Sequence, residues 1–564
     1  MKKFPHYEEL NSYITNQTGL KNFIRSNEDL KEFQFFIKNF LKNNKKIKDY
    51  GEFQTPIHLT NEICCYFKNK NYNPQIIFEP TCGEGNFIIS AIEYFPSLNY
   101  VYCVDLQGKN EWIFKLKLIK LAFERDLNLE IEFYRDNIFS HKLRKGFEED
   151  IAKSNNKLLI LGNPPWITNS ELSILNSKNL PKKKNIKNVR GIDAITGKGN
   201  FDISEAIILN VIQKFSTVKS KMAMICKTSV IKNIIKAIPN LNLQVSENKV
   251  FPIDANKEFK INANAGIFVT NLGSGQDISC LVGSFNEKNE IFKEFGYIGN
   301  VFVSNFENYK NYQHLEGKSK YEWRQGVKHD ASKIMVLKSI TNGKYVNGLN
   351  EEIIIEDEYL YPFLKGSMLK SPILNNNSIK HLIIMTQATL NQDPEIIALK
   401  NPKLWFYLNS HSKYLDNRKS IVYKDRPRFS IFGVGDYAFK PYKIGISGFN
   451  KNPKFCLIFP IKNKPVMLDD TSYYLSFESF NAAFYIWILL NSEDVRNFLL
   501  SIAFLDSKRP FNKGNLMRIE IQKYLKLITF ENVLEIYNKN LKDYFVFDLE
   551  KNDFLNFKNK EILN

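Results

Sequence analysis

Cysteine is scarce in this chain, and its spacing excludes the usual cysteine-based sites. Only seven cysteines occur among 564 residues, and no two of them form a C-x-x-C pair. Cys64 and Cys65 are adjacent, and the others are scattered among apolar neighbours. A disulfide framework and a cysteine-ligated zinc site are therefore not expected. Core thiols in a reducing cytoplasm are the simpler interpretation.

Long apolar runs are also absent, and so is a secretory signal. No stretch approaches the ~18 consecutive apolar residues of a membrane-spanning helix. The N-terminus, residues 1–9, has no apolar region behind its lysines. No internal repeat is apparent. These absences predict a soluble, cytoplasmic protein without a membrane partner.

Basic residues, in contrast, are in excess. The chain has 78 Lys and Arg against 60 Asp and Glu, and its formal net charge is +18. Such an excess favours a polyanionic partner. An AT-rich genome also inflates lysine without a functional cause, so the charge gives only limited support for nucleic acid.

The length of the chain and its hydrophobic content of 43% suit two or three domains. Residues 1–48 are predicted to be helical and basic, because apolar residues from Leu30 to Phe40 recur at three- and four-residue spacing. In residues 49–275, apolar runs alternate with amphipathic segments, which predicts an α/β domain with a doubly wound, mostly parallel, Rossmann-like sheet. Residues 276–564 are predicted to form a separate α+β domain, with a helix at about 482–498. The candidate strands of the α/β domain are 76–78, 100–104, 131–134, 158–161, 222–226 and 266–269.

A glycine-containing turn follows the first candidate strand. Glu79-Pro80-Thr81-Cys82-Gly83-Glu84-Gly85 leads into a helix that opens at about Phe87. Glycines allow a tight turn and the close approach of a nucleotide-like ligand. Asp105 ends the next strand, where a carboxylate can bind ribose hydroxyls. Asp136, in Asp136-Asn137-Ile138, ends the third strand and can accept from an adenine amino group. Taken singly, each acid is more simply a capping or solvated carboxylate.

The tetrapeptide Asn163-Pro164-Pro165-Trp166 follows the fourth candidate strand. Two prolines fix φ and remove two backbone donors. The acceptors that remain are the Asn163 side-chain oxygen and the Pro164 carbonyl, beside the flat ring of Trp166. This set suits a planar substrate with an exocyclic NH2 group, such as adenine. Taken alone, it is equally well explained as a strand-terminating turn.

In this order along the chain, the motifs resemble those of S-adenosylmethionine-dependent amino-methyltransferases of the class I fold. Within them, the sequence is similar to DNA adenine-N6 methyltransferases of the gamma arrangement, in which a target-recognition domain comes last. Trp166 stands where Tyr or Phe is more usual. The resemblance implies that S-adenosyl-L-methionine is bound by Thr55, Pro56, Glu79, Pro80, Thr81, Gly83, Gly85, Asp105, Asp136, Asn137, Ile138 and Asn163.

Three further segments carry the resemblance. Gly51-Glu52-Phe53-Gln54-Thr55-Pro56 resembles the segment that closes over the methionine part of the cofactor. Gly197 to Asp202 resembles the entry to the helix after the catalytic loop. The segment from Asp254 to Val269 resembles the one that supplies a second aromatic to the target base, where Phe259 fits best and Phe251 competes.

The resemblance implies methyl transfer to N6 of an adenine flipped out of double-stranded DNA, without a metal. Asn163, Pro164, Pro165 and Trp166 are then catalytic, and Trp166 and Phe259 stack on the target base. The protein would be the modification component of a bacterial restriction-modification system, associated with the nucleoid and monomeric. A separate cognate restriction endonuclease is a plausible further partner, but function without such a partner is equally allowed.

DNA contacts are expected in two places. The basic stretch of Lys182, Lys183 and Lys184 suits contact with phosphates near the extruded base, although a solvated loop explains it equally well. In the C-terminal domain, the candidates are Arg426, Arg428, Lys508 and Arg509.

Three alternatives remain. RNA adenine or a protein glutamine amide presents the same NH2 geometry, but a glutamine methyltransferase needs no second domain of this length. A non-catalytic DNA-binding protein with a decayed fold would be free to change Gly83, Gly85, Asp105 and Asn163. A bifunctional nuclease is disfavoured because the first 50 residues contain no Pro-Asp…Asp/Glu-x-Lys pattern.

Overall fold

The computed structural model describes residues 4–40, 54–125, 127–155, 157–167, 202–285, 290–340, 344–374 and 379–563. The chain divides into two compact units, Met1–Phe302 and Val303–Asn564. Within the described ranges, no helix is both long and apolar enough to cross a membrane.

The first unit is built on one large sheet with helices between its strands. Its strands are β1 Leu20–Lys21, β2 Ile76–Glu79, β3 Tyr100–Asp105, β4 Leu129–Arg135, β5 Leu158–Gly162, β6 Ser220–Lys227, β7 Val245–Asp254, β8 Asn264–Leu272, β9 Ser279–Gly283, β10 Ile291–Ile298 and β11 Val301–Val303. Its helices in the described ranges are Tyr7–Thr18, Asn27–Phe40, Ile57–Asn69, Asn86–Tyr94, Gly108–Glu124, Phe147–Lys153, Ile203–Lys214, Thr228–Leu241 and Ala255–Phe259.

The strand order is β1-β4-β3-β2-β5-β6-β8-β7-β9-β10-β11. The strands from β1 to β6 pair in parallel, and β8 runs antiparallel between β6 and β7. The predicted doubly wound, mostly parallel sheet is therefore confirmed. Every residue of β2, β3 and β5 is buried, which is why these strands are continuous apolar runs in the sequence. The strand order reverses between β2 and β5, and ligands of doubly wound sheets bind outside the carboxyl ends of the strands at such a point.

Buried ion pairs and one paired strand attach the N-terminal segment to this sheet. Glu111, on the helix Gly108–Glu124, is fully buried among three cations. Its carboxylate lies 2.6 Å from Arg135 Nε, 2.6 Å from Lys115 Nζ and 3.2 Å from Arg25 Nη2. Arg25 comes from the N-terminal segment, and β1 of the same segment pairs with β4. Removing a member of such a buried cluster leaves an uncompensated charge, so the cluster holds the segment in place.

The first compact unit ends at residue 302, whereas the sequence predicted a domain boundary near residue 275. β9 pairs in parallel with β7, and β10 pairs antiparallel with β9. These strands therefore extend the sheet of the first unit. Where the functional domains begin and end stays a prediction.

The second unit mixes two sheets with helices, as expected for an α+β domain. A four-stranded antiparallel sheet has the order β12-β21-β18-β19, and a six-stranded sheet has the order β15-β14-β13-β17-β16-β20. The strands are β12 Arg324–Gln325, β13 Val336–Ser339, β14 Lys344–Val346, β15 Glu352–Ile354, β16 Leu360–Leu364, β17 His381–Ile384, β18 Tyr442–Ser447, β19 Cys456–Ile458, β20 Met467–Leu468 and β21 Ser472–Phe477. The α-helices of its described part are Phe306–Tyr312, Ser332–Met335, Ile396–Lys400, Pro402–Ser410, Ser412–Asp416, Asp436–Phe439, Phe480–Leu490, Glu493–Ile502, Lys513–Leu516, Ile521–Leu527, Phe530–Asn540 and Lys551–Leu563.

The expectation of one helix over about 482–498 is wrong. Two helices, Phe480–Leu490 and Glu493–Ile502, cover this stretch. The Ser492 side chain accepts a hydrogen bond from Val495 N and so caps the start of the second helix. A serine cap satisfies a backbone donor that the start of a helix leaves open, which favours a new helix at this position.

Candidate active site

A cavity lies at the carboxyl ends of the parallel strands in the first unit. Its volume is ≈ 400 Å³, within the range of small-molecule and cofactor sites. The segments that follow β2, β3, β4 and β5 all contribute to its wall. The lining residues are 54–55, 79–83, 86–87, 105–107, 136–139, 163–167, 203 and 207.

The structure brings most of the predicted site residues to this one cavity. Two of the predicted cofactor residues do not line it. Pro56 precedes the helix Ile57–Asn69, and Gly85 precedes the helix Asn86–Tyr94. The predicted residues that do line the cavity are Thr55, Glu79, Pro80, Thr81, Gly83, Asp105, Asp136, Asn137, Ile138, Asn163, Pro164, Pro165 and Trp166.

Both glycines of the turn have positive φ angles, +53° at Gly83 and +74° at Gly85. A Cβ on Gly85 would lie 2.0 Å from the ring of Phe114, so Gly85 permits close packing of the turn on the neighbouring helix. A Cβ on Gly83 would lie 2.9 Å from Gln54 Oε1. The positive φ angle favours glycine at both positions, and at Gly85 the Phe114 ring also leaves no space for a side chain, whereas the flexible Gln54 side chain near Gly83 can move.

Asp105 holds the turn in place. Its Oδ2 accepts a hydrogen bond from Gly83 N at 2.8 Å. Its Oδ1 accepts from Gln107 N at 2.8 Å and from Asn110 Nδ2 at 3.0 Å. Burial raises the pKa of Asp105, and these hydrogen bonds oppose the rise. A carboxylate has about four acceptor positions, so room for roughly one further donor remains.

Two buried atoms of the cavity wall, Glu79 Oε2 and Thr81 Oγ1, have no hydrogen-bond partner within the described residues. Burial raises the pKa of Glu79 well above its usual range, and the charge of Asp105 adds to the rise. An unpaired buried polar group is costly. A ligand that presents polar groups to these two atoms would remove that cost.

Asp136 is oriented by a chain of polar contacts. Its Oδ1 accepts from Asn137 N at 2.7 Å, and its Oδ2 lies 3.0 Å from His141 Nδ1. His141 Nε2 lies 2.8 Å from the hydroxyl of Tyr102, which is buried in the sheet. The Asp136 side chain is half exposed and can still meet a donor at the cavity.

The side chain of Asn163 is held by Thr55, another residue of the cavity wall. Its Nδ2 donates to Thr55 Oγ1 at 3.2 Å. Since the amide nitrogen serves this contact, Oδ1 is the acceptor that the side chain can offer a substrate. Asn163 and Thr55 both line the cavity.

Trp166 and Phe259, the two residues predicted to stack on a target base, contact each other. Their ring centroids are 5.2 Å apart, and Trp166 Nε1 donates to Ile225 O at 3.4 Å. Phe259 does not line the cavity and reaches it through Trp166. The competing residue, Phe251, is fully buried and packs against Tyr66 and Phe285.

Sequence reasoning missed Lys227. Its Nζ donates to the carbonyl of Trp166 at 3.2 Å and pairs with Asp202 Oδ2 at 2.8 Å. Asp202 in turn caps the helix Ile203–Lys214 through Ser204 N. Lys227 thus connects the end of the tetrapeptide to the helix Ile203–Lys214. No local motif marks it, because its partners are 61 and 25 residues away.

Cavity-lining Leu106 and Phe139 were also missed. Both residues follow the ends of predicted strands. Because ligands bind at the carboxyl ends of the strands in doubly wound sheets, this position could have identified them.

Several predicted features lie outside the described residues. They are residues 51–53 of the segment before the first strand, Lys182, Lys183 and Lys184, and residues 197–201 of the segment before the helix Ile203–Lys214.

The predicted DNA contacts of the second unit lie at its surface, but most have protein partners. Arg428 forms a salt bridge with Asp416 at 3.0 Å. Arg509 Nη1 donates to the carbonyl of Asp470 at 3.0 Å, and Arg426 Nη1 donates to Asn391 Oδ1 at 2.7 Å. Lys508 is exposed. The structure does not bring these four residues into one cluster of mutual contacts.

Comparison with known proteins gives a clear relative. No protein-family model matches the chain. The chain is similar to the type II methyltransferase M.NspV of Nostoc sp., with 36% identity over 485 residues that cover 85% of this chain and 98% of the relative. It is similar in structure to the type IIL restriction-modification enzyme MmeI in complex with DNA, with 11% identity and a TM-score of 0.49 over 99% of this chain and 75% of that one. A nuclease-deletion mutant of the type ISP restriction-modification enzyme LlaGI in complex with a DNA substrate mimic gives 9% identity and a TM-score of 0.43 over 88% of this chain and 46% of that one.

The sequence relationship to M.NspV extends over nearly the whole of both chains, and the cavity unites the motifs that suggested a methyltransferase. On these grounds the chain belongs to the family of type II methyltransferases.

Proposed function

We propose that this methyltransferase transfers a methyl group from S-adenosyl-L-methionine to N6 of an adenine flipped out of duplex DNA. The observation that carries the proposal is the placement of Asn163 and Pro164 beside Trp166 in the wall of one cavity. Two acceptors next to a flat ring match an aromatic base with an exocyclic amine.

The residues of the cavity fit the cofactor. Glu79 and Thr81 offer buried polar atoms without partners to the amino-acid end of the molecule. Asp105 keeps room for about one ribose hydroxyl, and Asp136 would accept from the adenine amino group. Leu106 and Ile138 line the same cavity and would pack on the adenine ring.

When bound, the cofactor supplies an electrophilic sulfonium methyl group. The chain's own contribution is position and electrostatics. Asn163 Oδ1 and the Pro164 carbonyl accept the two N6 hydrogens and favour a pyramidal nitrogen whose lone pair faces the methyl group. Thr55 Oγ1 keeps the Asn163 amide in the orientation that offers Oδ1. The proton that leaves N6 passes to solvent after transfer.

The target base must leave the duplex before it can react. Flipping costs a few kcal/mol, and stacking on an aromatic side chain returns about 1–3 kcal/mol per base. Trp166 supplies the stacking face in this proposal, and Phe259 supports its ring from the side.

A cluster of basic side chains in the second unit supports a polyanionic substrate. Lys338 and His381 are directly opposite each other on β13 and β17, and Lys365 follows β16, whose Phe363 also faces His381. Burial lowers the pKa of His381, and the charges of Lys365 and Lys338 add to this effect. Neither Lys338 nor Lys365 forms an ion pair with an acid within the described part of the chain. The lowered pKa of His381 favours its neutral form, and DNA phosphates would neutralise the charges of the two lysines.

The biological setting belongs to the proposal as well. As the modification component of a restriction-modification system, the protein would act on the bacterial nucleoid in the cytoplasm, as a monomer, beside a separate cognate restriction endonuclease.

A methyl-transfer assay tests the proposal. Purified protein should transfer labelled methyl from S-adenosylmethionine to N6 of adenine in duplex DNA. Asn163→Ala should abolish transfer while cofactor binding persists, and Asn69→Ala, at an exposed asparagine, should transfer normally. Transfer at the normal rate by Asn163→Ala would refute the mechanism.

Single-molecule sequencing of DNA from cells that express the protein would report the modified base and its sequence context. Finding no N6-methyladenine would redirect the search to RNA adenine or a glutamine amide.

A further inference from the structure

Residues 54–58, here called the clasp, contact both the glycine-containing turn after β2 and Asn163. Gln54 Oε1 accepts a hydrogen bond from Glu84 N at 3.1 Å, and the Thr55 carbonyl accepts from Asn86 Nδ2 at 2.8 Å. Both donors belong to the turn after β2 or to the start of the helix that follows it. Thr55 Oγ1 accepts from Asn163, as described above. The first two residues of the clasp therefore hold the cofactor turn and the catalytic asparagine together.

The last residue of the clasp contacts the residue that precedes Phe259, the aromatic that packs on Trp166. His58 Nε2 lies 2.6 Å from Glu258 Oε2. Glu258 directly precedes Phe259 on the helix Ala255–Phe259. Its side chain is only 9% exposed, whereas that of His58 is 58% exposed. The other carboxylate oxygen, Oε1, lies 3.8 Å from Lys257 Nζ.

The helix that carries Phe259 depends on such contacts. It has five residues, and an isolated helix of this length is not stable in water. Asp254 caps its first turn through Asn256 N and Lys257 N. Near its other end, the contact between Glu258 and His58 connects it to the clasp. The orientation of Phe259 against Trp166 thus depends partly on the position of the clasp.

We propose that the clasp couples cofactor binding to capture of the target base, and that His58 and Glu258 are positioning residues for Phe259. The inference rests on the proposed function, since it takes the cavity as the cofactor site and Trp166 as the stacking platform. Gln54 and Thr55 line the cavity, so a cofactor bound there would contact the clasp and restrict its motion further. Through His58, the ordered clasp holds the short helix and Phe259 in place. Binding of a second ligand then causes a smaller loss of conformational entropy.

The coupling is reciprocal, because linkage requires each ligand to raise the affinity of the other by the same factor. This gives a readout that does not depend on turnover. S-Adenosylhomocysteine, which has no methyl group to transfer, can be titrated into the full-length protein by calorimetry. The titration is made alone and with a duplex that carries the sequence found by methylation mapping. The ratio of the two dissociation constants is the coupling factor.

We expect duplex DNA to tighten binding of S-adenosylhomocysteine to the unmodified protein by about 5-fold or more, the lower end of typical couplings. Glu258→Gln keeps the size of the side chain and removes its charge. Without DNA, this variant should bind S-adenosylhomocysteine with an affinity within about twofold of that of the unmodified protein. Its coupling factor should fall to about 1–2. His58→Gln should act in the same way, and the double variant should add little, because both changes weaken the same contact between residues 58 and 258.

Glu62→Gln is the matched control. Glu62 is exposed on the same helix as His58 and four residues after it, and this variant should couple normally. Thermal unfolding of each variant separates loss of coupling from loss of folding. An unchanged coupling factor in both His58→Gln and Glu258→Gln, with native-like unfolding, would overturn the inference. Absence of S-adenosylhomocysteine binding by the unmodified protein would instead overturn the proposed function.

Discussion

The rings of Trp166 and Phe259 meet edge to face, at an interplanar angle of 72° and a centroid distance of 5.2 Å. Two rings in this arrangement leave no parallel slot between them for a base. They form a corner in which one ring can stack on the base while the other supports it from the side. Trp166 is 8% exposed and lines the cavity, whereas Phe259 is 6% exposed and does not line it. The stacking face of the proposed base pocket is therefore that of Trp166.

Replacement of Trp166 should impair methylation by removing this face. The loss of about 1–3 kcal/mol of stacking corresponds to a drop of roughly 5–150-fold in kcat/KM for DNA with Trp166→Ala. Trp166→Phe keeps a flat ring and should retain most activity. Steady-state kinetics with duplex DNA measures the effect, and calorimetry with S-adenosylhomocysteine provides the control. Equal losses for Ala and Phe would contradict a stacking role.

Thr55 should act through Asn163. Thr55→Val preserves shape and removes the oxygen that accepts from Asn163 Nδ2. A neutral hydrogen bond contributes about 0.5–1.5 kcal/mol, so kcat should fall by roughly 2–12-fold. Thr55→Ser restores the acceptor and should restore kcat. If Ser and Val reduced kcat equally, the hydroxyl would not be orienting the amide.

The basic cluster on β13, β17 and the end of β16 should contribute to DNA affinity through its two lysines. Each phosphate contact adds about −0.9 to the slope of log K against log salt concentration. Lys338→Gln combined with Lys365→Gln should therefore make the slope shallower by about 2. Fluorescence anisotropy with a labelled duplex over a range of salt concentrations measures it.

Lys344→Gln is the control for this experiment, because Lys344 Nζ lies 3.6 Å from Glu352 and already has an acidic partner. A double variant with the slope of the unmodified protein would show that the cluster does not face phosphates.

Lys443 should make stability depend on pH. Burial lowers its pKa to about 7, from an ordinary value of 10.5 in the unfolded chain. Between these two values the unfolded chain binds the proton more strongly, so the free energy of unfolding should rise with pH from about 7 to 10.5. Lys443→Met removes the titrating group, so the free energy of unfolding should rise less with pH. The variant should also be more stable by a few kcal/mol at pH 7, because each unit by which the pKa is lowered corresponds to about 1.4 kcal/mol.

The loss of the hydrogen bond from Lys443 Nζ to the Lys440 carbonyl opposes part of this gain. Chemical denaturation of the full chain at a series of pH values checks the prediction. An unchanged pH profile in Lys443→Met would contradict it.

Much of the first unit was predictable because its signals are local. Apolar runs such as residues 158–161 became buried strands, and the residues directly after those strands became the cavity wall. Asn163 and Asp105 were found in this way, since the carboxyl ends of parallel strands meet at one edge of a sheet. The break at Ser492 was missed although Asn491-Ser492-Glu493-Asp494 interrupts the apolar run, and a serine followed by acidic residues is a local signal for the start of a helix.

The second unit was less predictable. Arg428 and Arg509 were chosen for their residue type, yet the fold pairs them with Asp416 and Asp470. The cluster of Lys338, Lys365 and His381 escaped notice because its members come from three strands or strand ends and form no continuous motif.

The sequence by itself determined the order of the strands along the chain, the residues at their ends and, through its motifs and its relative, the methyltransferase family. Only the tertiary structure decided which distant side chains meet. Thr55 contacts Asn163 across 108 residues, and His58 contacts Glu258 across 200 residues. Periodicity and turn chemistry act over a few residues and so fix local elements. Contacts over such separations arise only when the packed sheet and helices bring those elements together.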